Sequence, residues 1–335
     1  MKIAIDAMGG DYAPREIVLG AVDAVKEEKL GVVLVGNEKE IKSILKEISG
    51  WEKLDIEIKH TNEVIEMDEQ PVIAVRKKKN ASLVIATALV KEGYCDAVVS
   101  AGSTGAAVAA ALFGLGRVKG IERPVIATPI PNLKGVTVLL DSGANVDSKP
   151  KHLVQSGIMG SVYAEYVFGI SNPKVGLLNI GEEETKGNEQ VLTTYEKLKA
   201  LNTINFIGNA EGRDVPKGNF DVVVCDGFVG NVVLKFAEGL ISTLKKLIIS
   251  EIKSSNIFVK IAALILKKAL GKLGKRLDHS EYGGALLLGV NGCFIICHGS
   301  SKAKAIKNSI KVASQSVQNE VIKHIRDNIA QEAIC

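Results

Sequence analysis

Two adjacent glycines, Gly9-Gly10, lie between Asp6 and Asp11, behind the apolar run Ile3-Ala4-Ile5 and ahead of Ala13-Pro14-Arg15-Glu16, where a helix starts. Glycine permits a tight turn and a close approach of backbone to ligand, and a helix start leaves amide N–H groups unpaired. Such a corner attracts phosphate or an oxyanion. Asp6 and Asp11 oppose an anion there unless a cation intervenes. Further apolar runs end in the same way, at Ser100-Ala101-Gly102-Ser103-Thr104-Gly105, Asp141-Ser142-Gly143-Ala144-Asn145 and Asn179-Ile180-Gly181-Glu182-Glu183. Gly208-Asn209-Ala210-Glu211-Gly212 and Asp226-Gly227-Phe228-Val229-Gly230-Asn231 complete the set. Their spacing matches neither the dinucleotide fingerprint nor the P-loop, which argues against NAD and ATP. Asp6, Asp11, Asp141 and Asp226 read as loop caps rather than metal ligands, so neither a metal nor another cofactor is expected.

Loops of this kind need strands to aim them. The runs before them are rich in Val, Ile and Leu, and helical spacing follows at 106–115, 149–167, 189–201 and 231–249. Strand, polar loop and helix form a repeating unit, which predicts an α/β fold: an open, mostly parallel sheet with helices on both faces. Ligands of such sheets bind at the carboxyl ends of the strands. With 335 residues the chain is read as one α/β catalytic unit over 1–335, divided into two unequal lobes, with a C-terminal helix over 303–330.

No leader pattern precedes Ile3 and no apolar stretch is long enough to span a bilayer, so a cytoplasmic protein is expected. The five cysteines, an odd number without metal-like pairing, fit a reducing compartment and burial on strands. A net charge of +4 is too modest to point to nucleic acid, but its placement is uneven. Arg76-Lys77-Lys78-Lys79 follows an acidic stretch over 63–69 and reads either as a surface for an acidic partner or as a solvated helix start.

The second basic cluster interleaves Lys260, Lys267, Lys268, Lys272, Lys275 and Arg276 with Ile257, Phe258, Ile261, Ile265, Leu266 and Leu270. The apolar stripe rotates near Leu266-Lys267, which predicts two short helices with a bend, projecting over 253–276 as an apolar tip bordered by lysines. Such a tip docks on an anionic membrane surface; the alternative is a helix pair buried at a dimer interface or under the core.

The loops occur in a specific order. They run from Ile5-Asp6-Ala7-Met8-Gly9-Gly10-Asp11 through Val99-Ser100-Ala101-Gly102-Ser103-Thr104-Gly105-Ala106, Arg123-Pro124 and Asp141-Ser142-Gly143-Ala144-Asn145. They continue through Asn179-Ile180-Gly181-Glu182-Glu183-Glu184-Thr185-Lys186-Gly187-Asn188, Gly208-Asn209-Ala210-Glu211-Gly212-Arg213-Asp214 and Asp226-Gly227-Phe228-Val229-Gly230-Asn231-Val232. Tyr282-Gly283-Gly284-Ala285 and His298-Gly299-Ser300-Ser301 close the series. In this order the chain resembles the PlsX family of phosphate acyltransferases over nearly its whole length. Ser103 stands where that family usually has Asn, and Leu286 where it usually has Pro.

The resemblance implies a fold related to isopropylmalate dehydrogenase and phosphotransacetylase. It implies transfer of an acyl group from acyl carrier protein to inorganic phosphate, giving acyl phosphate and free carrier protein for phospholipid synthesis. A homodimer is implied too, with peripheral association at the inner face of the cell membrane and delivery to a membrane glycerol-phosphate acyltransferase.

Phosphate is already a nucleophile at neutral pH, so this reaction needs positioning and oxyanion donors rather than a covalent intermediate. The amides and hydroxyls of 102–105 are assigned to phosphate and oxyanion, with Asn209 and Asn231 as side-chain donors and Lys186 as the nearby cation. Lys186 has a second reading, as a surface lysine paired to Glu182 or Glu183. His298 fits either a general acid for the leaving thiolate or a hydrogen-bonded structural histidine. Asp6, Gly9, Gly10, Asp141, Asn145, Gly181, Glu182, Asp226 and Gly227 complete the phosphate- and substrate-binding set, and Arg76, Lys77, Lys78 and Lys79 are assigned to the carrier protein. Two other functions fit less well: a phosphotransacetylase using acyl-coenzyme A, and a non-catalytic membrane scaffold for the carrier protein.

Overall fold

The structure is a computed structural model that describes residues 1–276 and 278–332; the side chains of 268–270, 272, 273, 275, 276 and 279 lie outside the description. The first half alternates β1 (Lys2–Asp6), α1 (Arg15–Glu28), β2 (Gly31–Gly36), α2 (Glu38–Lys46) and β3 (Ile56–His60). α3 (Pro71–Lys77), α4 (Ser82–Lys91), β4 (Ala97–Ser100), α5 (Thr104–Gly114), β5 (Val125–Pro131) and β6 (Val136–Leu140) follow. The second half contains α6 (Pro150–Phe168), β7 (Lys174–Asn179), α7 (Glu189–Lys199), β8 (Asn205–Glu211) and β9 (Val222–Val224). It ends with α8 (Gly227–Ser254), α9 (Ile257–Arg276), β10 (Ala285–Leu288), β11 (Cys293–Ile296), α10 (Ala303–Gln318) and α11 (Val321–Glu332).

All strands join one sheet in the order β3-β2-β1-β4-β11-β10-β5-β6-β9-β7-β8. It is mostly parallel. Helices cover both faces, because alternate residues of a strand point to opposite sides. Ile3 and Ile5 pack into one cluster with α1, α6 and α10, whereas Ala4 packs into another with α4 and α5.

Register determines where the loops meet. β1, β2, β3, β4 and β11 are parallel and form one block; β6, β7, β8 and β9 are parallel and form another. Between them β10 runs antiparallel to both β11 and β5, so β5 shares the first block's direction, and β6 is antiparallel to β5. The second block therefore points the opposite way. Leu286 faces both Ile295 and Ala127, while Thr128 faces Leu139. The carboxyl ends of the two blocks thus arrive at the same level of β5 from opposite directions, and their loops share one cleft. Ala144, beyond β6, packs against the cluster that holds Ala106 and Ala107 of α5.

Three details differ from the sequence reading. The C-terminal helix is two helices, broken at Asn319-Glu320, where Glu320 takes a left-handed backbone. α9 runs unbroken through Leu266-Lys267, residues that favour helix, and the break falls instead at Ser255-Asn256. There Asn256 Oδ1 accepts from Val259 N at 3.1 Å and starts the new helix. α8 begins at Gly227 rather than Asn231, because Asp226 caps it.

Candidate functional site

The first bank of the cleft is built on a buried carboxylate. Asp6, 2% exposed at the end of β1, accepts from Ser82 Oγ at 2.6 Å and Ser100 Oγ at 2.7 Å. Ser100 Oγ in turn accepts from Gly102 N at 3.1 Å. Gly9 lies directly against this knot: a Cβ there would sit 2.5 Å from Asp6 Oδ2 and 2.9 Å from Gly102 N, so only glycine fits. Burial raises the Asp6 carboxyl above its ordinary value, opposed by the Ser82 and Ser100 hydrogen bonds. The β11 loop joins through Asp11 N, which donates to Gly299 O at 2.8 Å.

α5 starts at this knot without a side-chain cap: Ser103 is its cap residue and makes no capping bond, and Thr104 and Gly105 are exposed. An uncapped, glycine-containing first turn supplies amide donors and the positive end of the helix dipole. Gly102 does not contribute its own amide, because that N–H is committed to Ser100 Oγ.

The second bank uses its aspartates in the same internal way. Asp141 Oδ1 accepts from the amides of Ile126, Gly143 and Ala144, and Oδ2 from Asn145 N and Nδ2. Asn145 Nδ2 also reaches Pro124 O at 2.7 Å. Asp226 Oδ1 accepts from Phe228 N at 3.0 Å and Val229 N at 2.9 Å, capping α8. The Asp6 and Asp141 carboxylates thus shape loops through both oxygens, and Asp226 gives Oδ1 to the start of α8. α8 is pressed onto this bank, since Gly227 N donates to Asn145 O at 2.8 Å and a Cβ on Gly230 would lie 1.9 Å from Asp141 O. Asn231 lies over Gly143, about 3.5 Å from where a Cβ would be, and is half-buried.

Lys186 occupies the loop after β7. Asn179 Nδ2 donates to Lys186 O at 2.9 Å, Lys186 N donates to Glu183 O at 3.1 Å, and buried Gly181 packs under its side chain. Two of the neighbouring glutamates turn elsewhere, Glu184 to Lys199 at 2.8 Å and Glu182 to Arg213 at 3.8 Å, while Glu183 Oε2 lies against Gly181 beside the Lys186 stem without forming an ion pair. Among the described residues no carboxylate is ion-paired to the exposed Lys186 ammonium, so the surface-pair reading does not hold.

Asn209 Nδ2 uses one of its two N–H groups on Glu183 O at 2.9 Å, which holds the Lys186 loop, and its buried Oδ1 is unpartnered. The exposed His298 has Nδ1 accepting from Ser300 Oγ at 2.7 Å and Ser300 N at 3.2 Å, which places the neutral ring's proton on Nε2. Glu182, Glu211 and Asp214 bring carboxylate oxygens within 4.8 Å of one another, but Arg213 lies against the first two and Lys217 is 3.2 Å from Asp214. Two cations are thus already set among its three carboxylates.

The four thiols among the described residues are unsuited to nucleophilic work. Cys95, Cys225, Cys293 and Cys297 are buried and free; burial pushes Cys95 to about 11, Cys293 and Cys297 to about 12, and Cys225 well up. Ser82 and Ser100, which hold the Asp6 carboxylate, were not among the residues expected at the site; Ser100 heads one of the glycine loops, whereas nothing local marks Ser82, which reaches Asp6 across 76 residues.

Of the basic run, Lys78 is spent on Val64 O at 2.7 Å and Glu69 at 2.5 Å. Arg76 stacks over the Phe113 ring at 4.9 Å, and Lys77 and Lys79 are exposed. Of the tip residues, Ile257, Phe258, Ile261, Ile265 and Leu266 are exposed on α9, and the side chain of Leu270 is outside the described residues. No helix among the described residues is long and apolar enough to cross a membrane.

Solved phosphotransacetylases share this open α/β fold. The phosphotransacetylase of Streptococcus pyogenes matches with a TM-score of 0.65 at 20% identity, covering 95% of this chain and 94% of that one. 4-Hydroxythreonine-4-phosphate dehydrogenase of Klebsiella pneumoniae gives 0.50 at 14% identity, over 95% of this chain and 98% of that one, which ties the fold to the dehydrogenase-like group. At sequence level, residues 1–324 match the family described as "Fatty acid synthesis protein". The phosphate acyltransferase of Heliobacterium modesticaldum is 58% identical over 329 residues, 98% of each chain. The chain belongs to this family of acyltransferases.

Proposed function

We propose that this protein transfers a long acyl group from acyl carrier protein to inorganic phosphate. The observation that carries the reading is the full-length relation to phosphate acyltransferases. A phosphate oxygen attacks the thioester carbonyl carbon, a C–O bond forms, and the C–S bond breaks to release the carrier thiolate. Phosphate rests at the uncapped first turn of α5, Lys186 offsets the charge that accumulates, and Asn231 supplies a donor from the opposite bank. His298 Nε2–H donates a hydrogen bond to the departing thiolate, which leaves as the anion and takes its proton from water. The absence of a thiol fit for attack among the described residues agrees with direct displacement.

The carrier protein docks on the exposed face of α3. Val72, Ile73, Arg76 and Lys77 share that face while Ala74 and Val75 are buried behind it, and Pro71 at its start abuts Gly105 of α5. An acidic carrier is thereby held beside the phosphate turn. Mixing the protein with phosphate and either hexadecanoyl carrier protein or hexadecanoyl-coenzyme A, and following acyl phosphate, tests the reading. Turnover of the carrier thioester is expected, with Arg76→Glu/Lys77→Glu raising its KM about tenfold at low salt. Equal use of coenzyme A would favour the phosphotransacetylase reading, and no turnover the scaffold.

Two copies pair along the apolar stripe of α8, where Phe236 and Leu247 are 70% and 60% exposed, and α9 meets the cytoplasmic leaflet. From there the product passes to a membrane glycerol-phosphate acyltransferase. Phe258 and Ile265, 78% and 76% exposed, lead the insertion, bordered by Lys260 and Lys267. Full burial of each such side chain contributes about 1.5–3 kcal/mol. Ile261→Asp is expected to lower co-sedimentation with anionic liposomes at least about tenfold. Equal sedimentation of variant and parent would remove α9 from the membrane contact.

A further inference from the structure

The two banks of the cleft differ in character. The loop ends of the first read Gly9-Gly10-Asp11, Gly102-Ser103-Thr104-Gly105 and His298-Gly299-Ser300, with no aliphatic side chain among them. Each of three neighbouring loop ends on the second bank exposes a large apolar group. Val146 after β6 is 65% exposed, Ile180 after β7 is 81% exposed, and Phe228 after β9 is 61% exposed, with Val232 one turn further at 54%.

These three strands are adjacent, since β9 pairs with both β6 and β7, so their ends lie side by side about 5 Å apart per strand. Contacts tie two of the loops together, through Gly227 N on Asn145 O and Asn231 over Gly143. Each apolar group also neighbours a polar residue of the site: Val146 follows Asn145, Ile180 precedes the Lys186 loop, and Phe228 and Val232 flank Asn231. Folding does not require these exposures, because the inner face of α8 is already served by Val233 and Leu234 on the core.

We propose that Val146, Ile180, Phe228 and Val232 form the subsite for the fatty acyl chain, laid along the second bank with its carbonyl toward Lys186 and Asn231. This inference rests on the acyl-transfer reading above. The occupant follows from the chemistry: the reaction joins an anionic nucleophile to a long hydrocarbon, the first bank's loop ends carry glycines and hydroxyls at the start of α5, and three adjacent loop ends of the second bank each expose a large apolar side chain. Hydrocarbon on the apolar bank is removed from water in proportion to its length, so the subsite acts through chain-length preference. The rest of the α8 stripe, from Phe236 outward, lies beyond the loop ends and is not part of it.

The test compares Ile180→Ser and Phe228→Ala with the parent on octanoyl and hexadecanoyl carrier protein at saturating phosphate. Both residues are exposed, so circular dichroism and melting are expected to match the parent, and Leu133→Ser, 76% exposed at the far β5–β6 turn, serves as control. The expected result is about a tenfold loss of kcat/KM on hexadecanoyl substrate, a much smaller loss on octanoyl, and an unchanged KM for phosphate. An unchanged ratio between the two chains in both variants overturns the subsite while leaving acyl transfer standing. A uniform loss accompanied by altered sedimentation of the protein assigns these residues to the contact between copies instead, and also overturns it. No acyl phosphate from the parent with either chain removes the acyl-transfer reading itself, and the subsite with it.

Discussion

Replacing Lys186 by alanine is expected to lower kcat/KM for acyl phosphate formation about a thousandfold while leaving the melting temperature unchanged. The two parts of this result have separate causes. The loop is held by groups other than the ammonium: Asn209 Nδ2 on Glu183 O, Asn179 Nδ2 on Lys186 O, and the Glu184–Lys199 pair. Removing an exposed side chain from such a loop takes away no packing of consequence. Chemistry responds differently, because phosphate and the tetrahedral oxyanion place several negative charges in one cleft, and stabilisation there depends on a cation already in position. Lys186→Arg keeps the charge but replaces a compact ammonium with a planar fork, so partial recovery is expected, whereas Lys186→Gln should resemble alanine. Initial rates with carrier thioester and phosphate, together with a thermal melt, check all three. Turnover of Lys186→Ala within tenfold of the parent would reject the role.

Which parts of this molecule could be read without coordinates depended on how local their causes are. The strand-loop-helix units follow from apolar runs and glycine corners, and β1, β4, β6, β7, β8 and β9 fall where those runs stand. The opposed strand directions were not legible, because they depend on β10, a strand late in sequence, inserting between β11 and β5. At the site, the freedom of Lys186 could not be read from Glu182-Glu183-Glu184-Thr185-Lys186: the side chains that draw Glu182 and Glu184 away, Arg213 and Lys199, come later in the chain. The aspartates were partly legible as loop caps, since an aspartate followed by small residues commonly folds back on its own amides. The hold of Asn209 on the Lys186 loop was not legible, because the carbonyl that takes one of its amide hydrogens is 26 residues away.

Asp6→Ala is expected to destabilise the fold by about 3 kcal/mol and to raise the KM for phosphate, whereas Asp6→Asn does much less of either. Ser100 Oγ accepts from Gly102 N, so its single proton must go to Asp6, and Ser82 meets the other carboxyl oxygen. Alanine strands both hydroxyls in a buried site, each at about 1–3 kcal/mol, and releases the turn that sets the start of α5. Asparagine supplies an oxygen for Ser100 and an N–H for Ser82, so the knot survives.

Titration gives a second signature of the same geometry. Burial raises the Asp6 carboxyl above its ordinary value of 3.8, so between that value and the raised one the native state holds a proton that the unfolded chain has lost. The Asp6 contribution to stability is therefore present at low pH and falls as pH rises through that window. Asp6→Asn, which cannot ionise, lacks this fall, and its stability relative to the parent should improve on going from acid to neutral pH. Urea unfolding of both proteins across that range, with phosphate KM measured at neutral pH, checks it. Equal stability of the alanine and asparagine variants would show that acceptance from Ser100 is not what holds the turn.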